Sequence, residues 1–289
     1  MGKISIYFEL FLYYIVFLTL VLIIPGSGVN DFVKILLTVS SFLFAIILGF
    51  TTANRRKRLE LIRTTLRSDD ARLLSIYISS KVFGKAINHK VRTLIENYLM
   101  ASLDYALVDY NKSSKSFLVL YEFIINIKTK SKLEEEAKKH ILDNMRDSMK
   151  NQKEVIYAVS DTMLFFEWAA LYLLTGIIIS CLLYVNNSDL LSVFVIPILC
   201  LTLVLLLLIV RDLNGLRWQE DRWIWAPLME LYTELDLLPY VIDNVINDKR
   251  LRISEVLKYS KKYRLASFPN KYPDNTGKTI VIIDTTKNP

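Results

Sequence analysis

Two carboxylates lie within apolar stretches of the sequence, and they are the residues best placed to do chemistry. Glu9 stands near the start of one stretch and Glu167 near the start of another. A charge at mid-bilayer costs about 2.5–3.5 kcal/mol, so an intramembrane carboxylate is a candidate site by default. Two interpretations follow. Either both carboxylates lie on an ion or proton path, or each one snorkels to the interface or pairs with Arg55, Arg56 or Arg211.

Enzyme motifs are missing from the sequence. Both histidines lie in strongly charged segments, both cysteines lie within apolar stretches, and no CxxC, HExxH or GxSxG pattern occurs. Residues 277–279 imitate the end of a phosphate-binding loop, but that loop requires a glycine where Tyr272 stands. We therefore expect no enzymatic activity, no cofactor and no metal site.

The elements that must position these residues are apolar helices. Hydrophobic residues make up 53% of the 289 residues while charged residues reach 22%, so the two types are segregated along the chain. A membrane-spanning helix needs about 20 apolar residues. Four stretches approach that length: residues 7–24, 35–53, 163–185 and 190–210. This composition excludes a disordered chain and a disulfide-stapled secreted domain.

Basic residues near the ends of the spans predict their orientation. Four of them follow the second span directly: Arg55, Arg56, Lys57 and Arg58. The turn at 26–34 holds one lysine and the turn at 186–189 holds none, so the basic side faces the cytoplasm. We predict a multi-pass protein of the plasma (inner) membrane with both termini cytoplasmic. A cleaved signal peptide is the alternative for the first span, although its apolar run exceeds the usual length of about 7–15 residues.

Tryptophans lie close to the predicted cytoplasmic interface. Trp168 stands near the start of the third span, and Trp218, Trp223 and Trp225 follow the fourth. An indole ring favours the headgroup layer because its body is apolar and its N–H needs a partner. We predict that these residues, with Arg211, anchor the protein at the membrane interface. A contact with a partner or another subunit is the alternative.

The predicted fold is all-α: a polytopic membrane protein with four transmembrane helices, two of which continue into a cytoplasmic helical bundle. No glycine or proline occurs between Phe50 and Phe83, so the second span should continue as one long helix. Ser131 and Glu134 form a capping-box pattern that starts a helix expected to run into the third span. Residues 245–264 indicate a basic amphipathic helix, and residues 268–284 a small, loosely attached hairpin.

These patterns divide the chain into five segments. We predict transmembrane helices one and two over 1–53, a cytoplasmic helical insert over 54–160, transmembrane helices three and four over 161–210, an interfacial helical segment over 211–250 and a basic C-terminal tail over 251–289. The insert holds 21 basic and 13 acidic residues, a formal net charge of +8, and the rest of the chain lowers this to the total of +7. Such a segment next to the lipid bilayer favours anionic lipid or small anions as partners, whereas no nucleic-acid-binding motif occurs.

Two stretches of sequence resemble a known family. Leu48-Gly49-Phe50-Thr51-Thr52-Ala53-Asn54-Arg55-Arg56 and, more faintly, Arg211-Asp212-Leu213-Asn214 are similar to the bestrophin-like four-span membrane protein family of unknown function. The resemblance extends over roughly residues 5–240. Bestrophins are anion channels built as rings of identical subunits, with the pore lined by the second span and its continuation. The resemblance therefore implies a homo-oligomer that passes small anions.

The second span is also the most polar of the four. Thr38, Ser41 and Thr51 could line an ion path within it, but small and hydroxyl residues also simply pack helices closely. Two functions remain open from the sequence. One is an oligomeric anion channel, and the other is a non-conducting membrane scaffold whose basic bundle docks a partner or senses the anionic leaflet.

Overall fold

The computed structural model describes residues 6–28, 30–105, 107–187, 189–216, 224–248, 250–270 and 274–286. These residues are mostly helical. The first seven helices are α1 (Ile6–Ile23), α2 (Asp31–Ser80), α3 (Lys85–Asp104), α4 (Ser114–Ile125), α5 (Lys132–Ser160), α6 (Phe165–Tyr184) and α7 (Leu190–Asn214). They are followed by α8 (Ala226–Glu234), β1 (Tyr240–Ile242), α9 (Asp243–Asn247), α10 (Ile253–Leu257), β2 (Lys262–Ser267) and β3 (Thr279–Asp284). Short 3-10 turns at Lys81–Phe83 and Leu107–Ser113 flank α3.

The chain forms two compact units, and each is built from two separate segments. Unit 1 consists of Met1–Leu59 and Thr162–Trp218, and unit 2 consists of Glu60–Asp161 and Gln219–Pro289. The helix α2 contributes residues to both units because it continues without a break from Asp31 to Ser80. The absence of glycine and proline from its second half explains this continuity, and it confirms the prediction that the second span extends beyond the apolar stretch.

Unit 1 contains the apolar helices. Three helical segments are long and apolar enough to cross a membrane, at Asp31–Phe83, Lys132–Tyr184 and Leu190–Asn214, whereas α1 offers a shorter apolar stretch over Phe8–Ile23. Only 11% of the apolar window of α2 is buried within this chain. So much outward-facing apolar surface is typical of helices surrounded by lipid or by other subunits.

Two small cores hold unit 1 together. Phe17 and Val21 of α1 pack with Ile196 and Cys200 of α7. The second core joins α2, α6 and α7 through buried side chains: Phe44, Leu171, Ile178, Leu207 and Val210. Pro197 lies within α7 without ending it. Such a proline is tolerated in an apolar helix because neighbouring helices and local adjustment satisfy the freed backbone groups.

The turns that follow α1 and α6 meet in a tight contact. Asn186 is 1% exposed, and its Nδ2 donates hydrogen bonds to the carbonyl oxygens of Val21 at 2.9 Å and Ile24 at 3.3 Å. These carbonyl oxygens lie at the C-terminal end of α1, where no later turn of the helix supplies backbone N–H donors for them. Gly26 passes so close that an added Cβ would stand 2.0 Å from the carbonyl oxygen of Asn186. The side chain of Asn186 thus closes the end of α1.

Unit 2 is a helical layer with a small sheet against it. Its core contains fully buried residues from α2, α3, α4, α5, α8 and β1: Ile76, Tyr98, Phe117, Leu120, Ile141, Met145, Tyr232 and Tyr240. The strand order is β1-β2-β3, with β1 parallel to β2 and β2 antiparallel to β3. In the register, Leu265 pairs with Val241 on one side and with Val281 on the other.

The helix α5 begins at the predicted capping box. The backbone N–H of Glu134 donates to the Ser131 hydroxyl at 3.2 Å, and the Glu134 carboxylate accepts from the backbone N–H of Lys130 at 2.6 Å. Both bonds satisfy donors that the first turn of a helix leaves free. The predicted continuation of α5 into the third span is wrong, however. α5 ends at Ser160 and α6 begins at Phe165, with residues 161–164 between them.

The C-terminal part of the chain departs most from the sequence-based expectation. The all-α class omits the three-stranded sheet. The basic helix expected over 245–264 is wrong, because that stretch forms the short helices α9 and α10 and the strand β2. The hairpin predicted over 268–284 is confirmed for its second strand, β3, whereas its first strand, β2, ends at Ser267 and so precedes the predicted range. This hairpin is not loosely attached, since β3 pairs with β2 along its length and Lys278 forms an ion pair with Asp104 of α3.

Candidate functional site

One end of the apolar helices in unit 1 carries a group of charged and polar side chains, which we call the basic end. It comprises Glu9 of α1, Arg55 and Arg58 of α2, and Arg211 and Asn214 of α7. The Arg211 Nη1 lies 3.7 Å from the Glu9 Oε1, where the two side chains are 49% and 32% exposed. A half-exposed ion pair of this kind contributes about 0–1 kcal/mol to stability. The pair supplies an opposite charge for a carboxylate that lies beside the apolar helices.

Asn214 connects three segments at the basic end. Arg58 Nη1 donates a hydrogen bond to the Asn214 carbonyl oxygen at 2.8 Å, and the Asn214 Oδ1 accepts one from the backbone N–H of Met163 at 2.9 Å. The carbonyls at the end of α7 are the negative end of the helix dipole, so a guanidinium there is favourable. Asn214 belongs to the fainter stretch of family resemblance, and its partner Arg58 lies two residues after the stretch that ends at Arg56.

The four predicted basic anchors of α2 divide into two pairs. Arg55 and Arg58 are 7% and 6% exposed, whereas Arg56 and Lys57 are exposed. A spacing of three residues places Arg55 and Arg58 on the same helix face, and the two residues between them lie on the other side. Only Arg56 and Lys57 thus present their charges outside the unit, where lipid headgroups or anions could meet them.

Glu167 binds the start of its own helix. Its Oε2 accepts a hydrogen bond from the backbone N–H of Leu164 at 2.8 Å, so it closes the first turn of α6. Glu9 has Arg211 as its ionic partner. Both carboxylates singled out from the sequence therefore have structural partners within unit 1.

The hydroxyl residues of α2 lie on different faces. Thr38 is exposed and its Oγ1 donates to the Lys34 carbonyl oxygen at 2.8 Å, which satisfies the hydroxyl without another helix. Ser41 is half-buried, and Thr51 is 5% exposed and lies inside unit 1. Ala45 and Gly49 are exposed, like Thr38, and Phe42, 66% exposed, lies between Thr38 and Ala45 on the same outward side of the span.

The tryptophans have different surroundings. Trp168 stacks on Tyr172, with ring centroids 5.4 Å apart, and the Tyr172 side chain is 57% exposed. Trp225 is 4% exposed and belongs to the core of unit 2, so packing accounts for its ring. Trp218 and Trp223 lie outside the described residues.

Sequence reasoning missed a pair of carboxyl groups in unit 2, at Asp69 and Asp70 of α2, of which Asp69 is buried and Asp70 is half-buried. Asp69 is 4% exposed, and its Oδ2 accepts a hydrogen bond from the Tyr98 hydroxyl at 3.3 Å. The Gln152 Nε2 donates to that same hydroxyl at 2.9 Å, so α2, α3 and α5 meet at one polar point in an apolar core. A signal was present: Asp70 lies four residues after Leu66 and three before Leu73, on their helix face.

Both carboxyl groups have pKa values above the usual range. Burial raises the pKa of Asp69 to about 6, although nearby Ser148, Tyr98 and Arg72 oppose the change. Burial also raises the pKa of Asp70 to about 7, with a further contribution from the negative charge of Asp69. Near neutral pH the pair is therefore partly protonated, whereas ordinary surface aspartates are ionised.

A second set of polar contacts attaches the sheet to α3. Arg264 of β2 pairs with Glu96 at 2.5 Å, and Lys278 pairs with Asp104 at 2.5 Å. The Tyr240 hydroxyl of β1 donates to Asp104 as well. These side chains are largely shielded from solvent, and removing one partner of such a pair leaves an uncompensated charge. The contacts explain why the C-terminal strands are fixed.

The apolar helices, the basic end and the mostly helical unit 2 define a helical membrane protein. A family model described as the Bestrophin-like domain matches residues 10–215. The chain belongs to the bestrophin-like family, since the match covers well over half of its length. The matched region ends just after Asn214, so it includes the whole basic end apart from Glu9. Among curated proteins and among solved structures, none matches the chain.

Proposed function

We propose that this protein is an oligomeric channel for small anions and not an enzyme. Its membership of the bestrophin-like family carries the proposal. The poor burial of α2 supports it, because only 11% of the apolar window of this helix is covered by the chain itself. In a ring of subunits, such a helix can face both its neighbours and a central path.

The pore in this proposal is lined by the outward face of α2. The small and hydroxyl residues Thr38, Ala45 and Gly49 lie on that side, where they leave room for an ion. Ser41 lies at its edge, whereas Thr51 packs within the unit. Glu9 and Glu167 stay outside the path and hold helix ends, because each has a partner that accounts for its charge.

Electrostatics favours anions at one end of this path. Arg56 and Lys57 are exposed on α2 directly after its apolar segment. Like-signed charges at a channel mouth raise the local concentration of counter-ions and so increase entry rates. The same residues support the proposed orientation, with the basic end and both termini in the cytoplasm and the protein in the plasma (inner) membrane. Anionic lipid is the expected partner of any exposed basic side chain there.

Anion flux into liposomes tests the proposal. We expect purified protein to form an oligomer in detergent and to pass chloride faster than sodium. The double variant Arg56→Gln, Lys57→Gln should lower the permeability ratio of chloride to sodium, because the positive mouth is lost. Lys90→Gln, an exposed lysine of α3, is the matched control and should leave the ratio unchanged. A monomer without flux would contradict the channel and favour the non-conducting scaffold.

A further inference from the structure

Unit 2 contains a cleft that the channel proposal does not use. The cleft has a volume of about 360 Å³ and lies between the end of α3, the residues before α8 and the C-terminal sheet. Aromatic and polar side chains line it together, among them Asp104, Tyr105, Trp225, Asn244, Asp248 and Phe268. Small-molecule sites have this character: apolar walls with a few placed polar groups.

A smaller cavity of about 80 Å³ adjoins the cleft and contains the carboxyl pair. Asp69 and Asp70 line it together with leucines of α2, α3 and α8. Ser102, Leu103 and Ile224 line both spaces, so the cavity and the cleft lie side by side. A ligand whose body lies among the aromatic side chains of the cleft could therefore extend to the carboxyl groups of the cavity.

One buried polar atom among the described residues of these walls lacks a hydrogen-bond partner. Trp225 is 4% exposed and its indole N–H has no acceptor, whereas the Asp69 carboxylate has the Ser148 side chain beside it. Buried polar atoms without a partner are rare in folded proteins, so this one requires an explanation. It lies in the cleft and needs a group that accepts a hydrogen bond.

The charge of the described wall residues favours a cation. Among the described residues that line the two spaces, the carboxylates Asp69, Asp70 and Asp248 outnumber the one guanidinium, that of Arg250, while Asp104 already has Lys278 as its partner. No set of three or more metal-ligating side chains converges anywhere in the described part of the chain. Aromatic faces and carboxylates together suit an organic ammonium ion better than a bare metal ion.

We propose that this cleft binds a small organic ammonium ion with an aromatic or apolar body and a hydrogen-bond acceptor. The ammonium group donates to Asp69 and Asp70, the body lies against Phe268 and Tyr105, and the acceptor binds the indole N–H of Trp225. The positive charge also stabilises two carboxylates whose burial otherwise favours protonation, as the raised pKa of Asp70 indicates. The site lies wholly within unit 2 and does not depend on conduction.

Calorimetry on the purified full-length protein in detergent tests the site, with tyramine as the probe. We expect saturable binding of tyramine and at least about tenfold weaker binding of 4-ethylphenol, which lacks the ammonium group. Asp70→Asn should weaken the binding of tyramine by a similar factor. Asp143→Asn, an exposed position of α5, is the matched control and should bind tyramine as the parent does. Equal affinity for tyramine and 4-ethylphenol, or unchanged binding in Asp70→Asn, would overturn the proposal.

A second pair of ligands tests the place of Trp225 and separates lost contact from lost folding. Trp225→Phe keeps an aromatic ring but removes the N–H, so it should weaken tyramine more than phenethylamine, which lacks the hydroxyl. Equal weakening of both amines overturns the assignment of Trp225. The thermal unfolding temperature of each variant is measured on the same sample, and a variant that retains it reports on binding alone.

Discussion

Gly26 has no room for a side chain, because an added Cβ would stand 2.0 Å from a backbone oxygen of Asn186. Gly26→Ala should therefore displace the turn and cost about 1–3 kcal/mol of stability, as overpacking usually does. Thermal unfolding in detergent, followed by size-exclusion chromatography, measures the loss. Gly176→Ala in α6 is the control, since nothing lies within 4 Å of its added Cβ. An unchanged unfolding temperature for Gly26→Ala would contradict the described contact.

The raised pKa of Asp70 predicts an unusual dependence of the protein's stability on pH. Its pKa of about 7 in the folded protein lies above the ordinary value of 3.8, mainly because of burial, with Asp69 and Glu234 adding to the shift and Arg67 opposing it. The folded state therefore holds the proton more tightly, and stability falls as pH rises from about 4 to about 7. Asp70→Asn removes this loss.

At pH 8 we expect Asp70→Asn to be more stable than the parent by on the order of 2 kcal/mol, while near pH 4 the two should coincide. Thermal unfolding at the two pH values measures the difference. The control Asp143→Asn should show the same change in stability between the two pH values as the parent does, since the Asp143 side chain is 54% exposed and lies outside the pair of Asp69 and Asp70. A loss of stability at pH 8 in Asp70→Asn would show that the charge is favourable in place.

At the scale of elements, neighbouring arginines of α2 have opposite roles. Arg58 is buried and donates to the last carbonyl of α7, while Arg56 is exposed. Arg58→Ala should cost about 1.5–3 kcal/mol, the usual value for a hydrogen bond to a charged group, whereas Arg56→Ala should cost less than about 0.5 kcal/mol. Unfolding in mixed detergent and denaturant compares the two. Equal losses would indicate that Arg58 makes no specific contact.

This pair also shows what sequence can and cannot predict. The length and continuity of α2 follow from local properties: an apolar run, no helix breakers and a basic stretch after it. Which arginine turns inward depends on the neighbouring α7, which is distant in the chain. A hairpin was expected over 268–284, but its first strand was misplaced and β1 was missed for the same reason. The strand β2 contains the mixed sequence of Lys262–Ser267, and its parallel pairing with β1 is a tertiary property that no local pattern records.

The carboxyl pair of Asp69 and Asp70 could be predicted from the sequence only in part. The helical spacing of Asp70 with Leu66 and Leu73 indicated a shared face, but a charged residue among leucines is more often at the edge of a stripe than inside it. Only the packing of α3 and α5 against α2 places Asp69 beside Tyr98 and Gln152. Candidate sites built from several helices therefore need the structure before they can be recognised.

At the scale of the whole molecule, neither unit is a continuous piece of chain. Unit 2 takes its second segment from residues beyond the family match, which ends at residue 215. A chain truncated after Leu216 would lose Tyr232 and Tyr240, two of the largest fully buried side chains. We expect this truncation to aggregate, because removing buried aromatic residues costs about 3–5 kcal/mol each. A monodisperse, folded peak in size-exclusion chromatography would contradict the expectation.

The buried state of Asn186 has a practical consequence for mapping how the chain crosses the membrane. Residues 186–188 read Asn-Asn-Ser, a pattern to which eukaryotic cells attach sugar chains when it reaches the secretory lumen. This amide is 1% exposed and its Nδ2 holds the end of α1, so a sugar chain attached there is incompatible with the folded contact. Reporter sequons for mapping sidedness therefore belong in an inserted hydrophilic loop.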